Sequence, residues 1–237
     1  LFVLVSYLPV PSSLGEMKTK PTQHAVRSLN FAGIQPDIII ARSEVPLDRK
    51  RKEKLAIWCN VPADHIVSAP DIDSIYEVPI NFEKDKIGDI ILKRLRVNKI
   101  PKTELGPWKR FVQKIKTTRE EVKIAIVGKY FDTGDFVLSD AYISVIEAIK
   151  FSAYHLNRKP KIVWLNSKNF ERNGKADTLK NFDGVIVPGG FGETGIEGKI
   201  KAIQYCREHK IPYFGLCYGM QLAVIEYARH MAGIRDA

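Results

Sequence analysis

Long apolar runs are scarce in this sequence, and paired cysteines are missing from it. The apolar opening, residues 1–8, is far shorter than the ~20 residues that a membrane-crossing helix needs. It also lacks the basic start of a secretory signal, so no membrane partner is expected. Three cysteines, Cys59, Cys206 and Cys217, stand far apart with no C-x-x-C pair among them. An odd, dispersed set excludes a disulfide framework and a thiolate zinc site, and it suits the reducing cytoplasm. There is no internal repeat and no low-complexity segment. The phosphate-loop spacing G-x-x-x-x-G-K-[ST] does not occur either. Residue 1 is leucine rather than methionine, so the chain is expected to begin inside a longer one.

What is present has the balance of a soluble globular protein: 45% hydrophobic and 27% charged residues over 237 positions. That length suffices for one large or two small α/β domains. The formal charge is +10, and its densest run is Arg49-Lys50-Arg51-Lys52-Glu53-Lys54. No aromatic residue interleaves that run, so it reads as a solvated helix face rather than a base-stacking surface. The basic excess suits a small polyphosphate ligand, and no nucleic-acid partner is expected.

Strand and helix patterns alternate along the chain. Residues 2–5 read as a strand, 23–32 as a helix and 38–41 as a buried parallel strand. Residues 47–54 read as a helix, 55–59 as a strand and 66–67 as another. A helical pattern follows over 72–96, interrupted by Pro79. Residues 97–120 mix Pro101, Gly106-Pro107 and many charges, with an apolar face at Trp108, Phe111, Val112 and Ile115. They read as a linker carrying a short helix, between domains at 1–96 and 121–237. The second domain reads as strand 122–128, helix 139–154, strand 161–165, a helix before Asn181, strand 184–187, helix 195–210 and strand 211–214.

The strongest chemical signal follows that last strand. Gly215-Leu216-Cys217-Tyr218-Gly219 is G-x-C-x-G, the thiol counterpart of the G-x-S-x-G nucleophile elbow. A periodic helical pattern leaves it, through Met220, Leu222, Ala223, Val224, Ile225 and Tyr227. A cysteine that merely filled a core would need neither glycine. One strand earlier, Pro188-Gly189-Gly190-Phe191-Gly192 lets a backbone N–H approach a ligand closely. With the Tyr218 amide it could form an oxyanion site. None of the five histidines (His24, His65, His155, His209, His230) falls in a loop after a later parallel strand, where a base could face Cys217. Near the start, Gly15-Glu16-Met17-Lys18-Thr19-Lys20-Pro21-Thr22-Gln23 puts two lysines and two threonines in a loop before a helix N-terminus, which favours an anion.

Together these segments resemble the CTP synthase family. The stretch Gly15 to His24 resembles its nucleotide-binding segment. Residues 33–43, 59–62 and 71–76 resemble consecutive stretches of its synthetase domain. Residues 127–130, 140–147, 188–192, 195–200 and 215–221 resemble its glutaminase domain. The resemblance implies two α/β units with mostly parallel sheets: the C-terminal part of a P-loop-type synthetase domain, then the N-terminal part of a flavodoxin-like class I glutaminase domain. It implies that Cys217 attacks glutamine and releases ammonia, with Gly190, Tyr218, Gly219, Met220 and Gln221 holding the substrate and its oxyanion. Lys18, Thr19, Lys20, Pro21, Thr22, Gln23 and Lys54 would contact UTP or CTP, and Pro70, Asp71 and Ile72 would contact ATP. The implied activity is ATP-dependent amination of UTP to CTP, by a cytoplasmic homotetramer using Mg²⁺ and activated by GTP.

Three positions depart from the family pattern. Thr194 stands for an arginine, Tyr218 for a leucine and Ser6 for a proline. The family's phosphate loop and magnesium ligands are expected upstream of Leu1, and the histidine and glutamate of its triad downstream of Ala237. The chain alone is therefore expected to be inactive. Two other readings compete: another class I glutamine amidotransferase, or a catalytically incomplete nucleotide-binding or assembly module.

Overall fold

The computed structural model describes residues 1–13, 15–97, 104–128, 142–171, 176–190 and 195–237. The chain divides into two compact units, Leu1–Val112 and Gln113–Ala237, so the division falls inside the expected linker.

The first unit is a parallel sheet with helical crossovers. Strand β1 (Val3–Tyr7) leads to helix α1 (Lys20–Phe31), then β2 (Ile38–Ser43), α2 (Arg49–Cys59) and β3 (Ile66–Pro70). The sheet order is β1-β2-β3, with Val3 opposite Ile38 and Ile39 opposite Ile66. In the middle strand β2, Ile38, Ile39 and Ala41 of the apolar run 38–41 are fully buried and Ile40 is half-buried. Val26, Leu55, Cys59 and Ile66 close the core around it. Helices α3 (Val78–Lys84), α4 (Ile87–Arg94) and α5 (Gly106–Thr117) follow. The Tyr76, Trp108 and Phe111 rings pack in tilted and edge-to-face contacts, and the Trp108 indole donates to the Tyr76 carbonyl at 2.8 Å.

Several sequence expectations shift here. Residues 55–59 are not a strand, because α2 runs unbroken to Cys59. Leu55 and Cys59, four apart, share the buried face, while Ile57 and Trp58 point outward at 79% and 57% exposure. Asp48 caps the start of α2 by accepting from the Arg51 N–H at 2.7 Å, and Asn60 ends it in the left-handed region. Helix α1 begins at Lys20 rather than Gln23, with Pro21 in its first turn, where a missing N–H does no harm. The helical pattern over 72–96 is three pieces: a single 3-10 turn at Ile75–Glu77, then α3 and α4. Pro79 opens α3 instead of interrupting a longer helix.

The second unit starts at β4 (Glu121–Gly128), followed by α6 (Ile143–His155), β5 (Lys159–Asn166) and the short α7 (Lys168–Glu171). Strand β6 (Gly184–Val187), α8 (Ile196–Glu208), β7 (Tyr213–Gly215) and α9 (Tyr218–His230) complete it. The helix expected before Asn181 is a 3-10 segment, Ala176–Asn181. Residues 139–141 of the helix expected at 139–154 lie outside the described residues. All strand pairs are parallel and the order is β5-β4-β6-β7. In chain order within the unit that is 2-1-3-4, the flavodoxin-like arrangement, with a switch point between β4 and β6. Ala125, Val127, Val185, Val187 and Leu222 form the centre of its core.

Candidate functional site

Cys217 sits where β7 turns into α9, at the C-terminal edge of the second sheet. The turn is fixed by backbone bonds: the Leu216 N–H donates to the Val187 carbonyl at 2.9 Å, and the Gly219 N–H to the Leu216 carbonyl at 2.9 Å. Cys217 itself takes φ 51° and ψ −107°, a conformation that non-glycine residues rarely adopt. The two flanking glycines serve a different purpose. Neither has positive φ; each is needed for space. A Cβ on Gly215 would lie 2.6 Å from the Gly219 carbonyl carbon, and one on Gly219 would lie 2.1 Å from the Val187 oxygen.

The loop after β6 runs beside this turn. A Cβ on Gly189 would sit 3.3 Å from the Cys217 Cβ and 3.8 Å from its Sγ. Gly190 follows at φ 138°, open only to glycine. Phe191, Gly192 and Thr194 lie outside the described residues. The Cys217 thiol is exposed, as are Met220 and Gln221, whereas Tyr218 and Gly190 are half-buried. Gly219 is buried, and its carbonyl accepts from the Tyr213 hydroxyl at 2.7 Å. Burial pushes the Tyr213 phenol up, so it remains a donor. As the first amide of α9, the Tyr218 N–H has no intrahelical acceptor and is open to an anion.

The other two cysteines are of another kind. Cys59 and Cys206 are buried, and desolvation pushes their thiols up to about 11 and about 12. The histidines of this unit all close helices: His155 ends α6, His209 follows α8 and His230 ends α9. Helices crossing between parallel strands run back toward the strands' starting edge, so these rings gather at the edge opposite Cys217. For His230 the 13-residue helix sets roughly 18 Å of axial separation. Its Nδ1 is taken up locally, 3.3 Å from a Glu226 carboxylate oxygen. Glu226 is buried and receives a two-pronged bond from Arg207, with Nη2 to Oε1 at 2.8 Å and Nε to Oε2 at 3.0 Å. Sequence reasoning missed this α8–α9 clamp. Its only signal was a glutamate on the apolar side of a helical pattern.

In the first unit the expected nucleotide segment separates into outward and inward residues. Lys20, Pro21 and Lys54 are exposed and Lys18 is half-exposed, whereas Thr19, Thr22 and Gln23 are buried. The Thr22 hydroxyl pairs with Ser6 at 2.9 Å, and the Gln23 amide donates to Thr19 at 3.2 Å. Cations converge on Glu16. Lys18 bonds it at 2.8 Å, Arg51 stands 3.4 Å away, and the field of Lys54 reaches it too. The Lys18 hydrogen bond chiefly holds the Glu16 carboxyl below its usual range. Arg51 is thus a third cation at this locus that the motif did not mark.

At the C-terminal edge of the same sheet, a cavity of about 340 Å³ is lined by Arg42, Pro70, Asp71, Ile72, Ile75 and Phe82, among others. Arg42 donates to Asp71 at 2.8 Å and to the Ala69 carbonyl at 3.0 Å, fixing its polar side. A groove of about 490 Å³ in the second unit, between α6 and β4, β6 and β7, is lined mainly by apolar side chains. Among the described residues, no group of three or more His, Cys, Asp or Glu is placed to hold a metal ion. Among them, too, no helix is long and apolar enough to cross a membrane.

Residues 1–97 match the family described as CTP synthase N-terminus, and residues 137–235 match glutamine amidotransferase class-I. The CTP synthase of Caldanaerobacter subterraneus subsp. tengcongensis is 45% identical over 237 residues, all of this chain and 43% of that protein. The CTP synthase of Carboxydothermus hydrogenoformans is 46% identical over the same span, again 43% of its length. A solved structure, the Trypanosoma brucei CTPS glutaminase domain with bound acivicin, is similar at 38% identity and TM-score 0.43. That match covers 47% of this chain and 42% of the other. The chain thus spans less than half the length of the curated relatives it matches.

Proposed function

This chain belongs to the CTP synthase family, and on that premise we propose that it takes part in the ATP-dependent amination of UTP to CTP, with ammonia drawn from glutamine at Cys217. One observation carries the glutaminase half: an exposed thiol at φ 51° on a strand-to-helix turn, with Gly189 against its side chain. The Cys217 sulfur attacks the side-chain amide carbon of glutamine. The carbonyl electrons move onto oxygen, which receives the N–H groups of Tyr218 and Gly190. Collapse expels ammonia and leaves a glutamyl thioester, which water then cleaves to glutamate. Met220 and Gln221, exposed beside the thiol, contact the glutamine; Gly219 contributes by packing. The described histidines of this unit stand at the far edge of the sheet, so the proton taken from the thiol goes to a base other than these.

The synthetase half is assigned to residues 1–96, the linker to 97–120 and the glutaminase half to 121–237. Lys18, Lys20 and Lys54, with Arg51 beside them, form the cationic surface for the UTP phosphates. Thr19, Thr22 and Gln23 shape that surface from beneath. Pro70, Asp71 and Ile72 line the cavity assigned to ATP. Mg²⁺, which would neutralise the transferring phosphate charge, and GTP as activator belong to the same reading, as do a cytoplasmic homotetramer and no nucleic-acid partner.

The test is CTP formation by the complete translated protein supplied with UTP, ATP, Mg²⁺ and glutamine. Turnover is expected, and replacing Lys18 and Lys20 together by alanine should raise the KM for UTP by about a hundredfold or more, since each charge-assisted bond contributes ~1.5–3 kcal/mol. A KM for UTP that stays at the wild-type value overturns the phosphate assignment.

A further inference from the structure

Lys199 heads the large side chains that this fold buries completely, with 1% exposure. It stands in the first turns of α8, next to Gly198, which packs so closely that a Cβ would lie 1.8 Å from the Ser167 carbonyl oxygen. Taking an ammonium out of water is expensive, and lysine is almost never fully buried unless its surroundings compensate. One such neighbour is an aromatic face. The Lys199 Nζ lies 5.7 Å from the centroid of the Tyr218 ring, within cation–π range. Tyr218 is the first residue of α9 and follows Cys217 directly.

We propose that Lys199 is a positioning residue for the nucleophile turn: its buried ammonium holds the Tyr218 ring and thereby fixes the Tyr218 amide where the oxyanion forms. This rests on the glutaminase reading. The strained backbone at Cys217 persists only if its neighbours over-determine it. Val187, Gly189 and Tyr213 brace one side of the turn, through the close glycine contacts and the Tyr213–Gly219 bond. The Lys199–Tyr218 contact braces the residue that links the strained position to the regular helix. The brace is itself held in place, because α8 is tied to α9 by Arg207–Glu226 at 2.8 Å and by Glu197–Arg229 at 3.0 Å. Methionine matches the length of lysine but carries no charge, so it separates the ring attraction from mere filling of space.

The experiment compares Lys199→Met in the wild-type and Tyr218→Leu backgrounds of the complete translated protein, with glutamine or ammonia as nitrogen source. In the wild-type background Lys199→Met is expected to lower the glutamine-dependent kcat about tenfold, roughly the strength of a desolvated cation–π contact. The KM for glutamine and the ammonia-dependent rate should hold. In the Tyr218→Leu background the same change should cost less than about threefold, because the partner is already gone. Equal losses in both backgrounds, or an ammonia-dependent rate that falls in step, overturn the proposal. If the wild-type protein uses neither nitrogen source, the functional reading has failed instead. Iodoacetamide labelling of Cys217 in the 237-residue chain then decides: a rate changed by Lys199→Met only when Tyr218 is present upholds the brace, and an unchanged rate overturns it. If Lys199→Met does not fold, the labelling rate of Tyr218→Leu decides alone, an unchanged rate counting against the brace.

Discussion

At Cys217 the backbone strain belongs to the cysteine, and the glycines on either side supply room. The G-x-C-x-G spacing was legible in the sequence, but the division of labour within it was not, because spacing does not reveal which residue takes the positive φ. The structure makes the consequence specific. Gly219→Ala should remove well over 3 kcal/mol of stability, beyond ordinary overpacking, since its Cβ meets a backbone oxygen that cannot step aside. A urea melt that shifts by less than ~1 kcal/mol would show that the turn is looser than described. The three thiols also separate cleanly. Iodoacetamide at neutral pH should add one label, at Cys217, because Cys59 and Cys206 are buried with thiols pushed up to about 11 and about 12. Mass spectrometry before and after denaturation checks this; labelling of either buried cysteine in the native chain contradicts it.

Among the elements, the parallel strands were the easiest to read. The runs at 38–41 and 124–127 are continuously apolar, as strands inside a parallel sheet are. Helix α2 was the hardest. Its second half, Leu55-Ala56-Ile57-Trp58-Cys59, is apolar all round, although only Leu55 and Cys59 are buried, and a short apolar run carries no period to separate helix from strand. What decides α2 lies at its ends. The Arg51 N–H, and then the Arg51 side chain, hold the Asp48 carboxyl below its ordinary value of 3.8. The unfolded chain therefore binds this proton more readily than the folded one. The cap's contribution is complete above about pH 4 and is lost as the pH falls through the lowered folded value. Asp48→Ala should cost about 1 kcal/mol at pH 7. The difference from wild type should shrink on acidification, and a difference that is constant with pH would refute the charge's part in the cap. Between α8 and α9, Glu226→Ala should cost about 2 kcal/mol, less than a fully buried pair because Arg207 is 28% exposed. Chemical denaturation reads this directly.

For the molecule as a whole, two parallel α/β units and membership of the CTP synthase family were both legible from motifs spread along the chain. The motif at residues 15–24 marked its lysines but not that Thr19, Thr22 and Gln23 turn inward, since burial depends on the packing of β1 against α1. Nor did it mark Arg51, which reaches the same carboxylate from a different helix. That no histidine of the second unit faces Cys217 was legible in the sequence, and helix α9 adds the roughly 18 Å of axial separation to His230. The proposed function depends on Cys217 being the glutaminase nucleophile, and one comparison tests that most directly. In the complete translated protein, Cys217→Ala should cut glutamine-dependent CTP synthesis by roughly a thousandfold or more, as loss of a covalent nucleophile does. The ammonia-dependent rate should stay within about twofold, because added ammonia bypasses the thiol. Glutamine-dependent synthesis that survives the substitution, or loss of both activities in a folded protein, would contradict the nucleophile's assignment to Cys217.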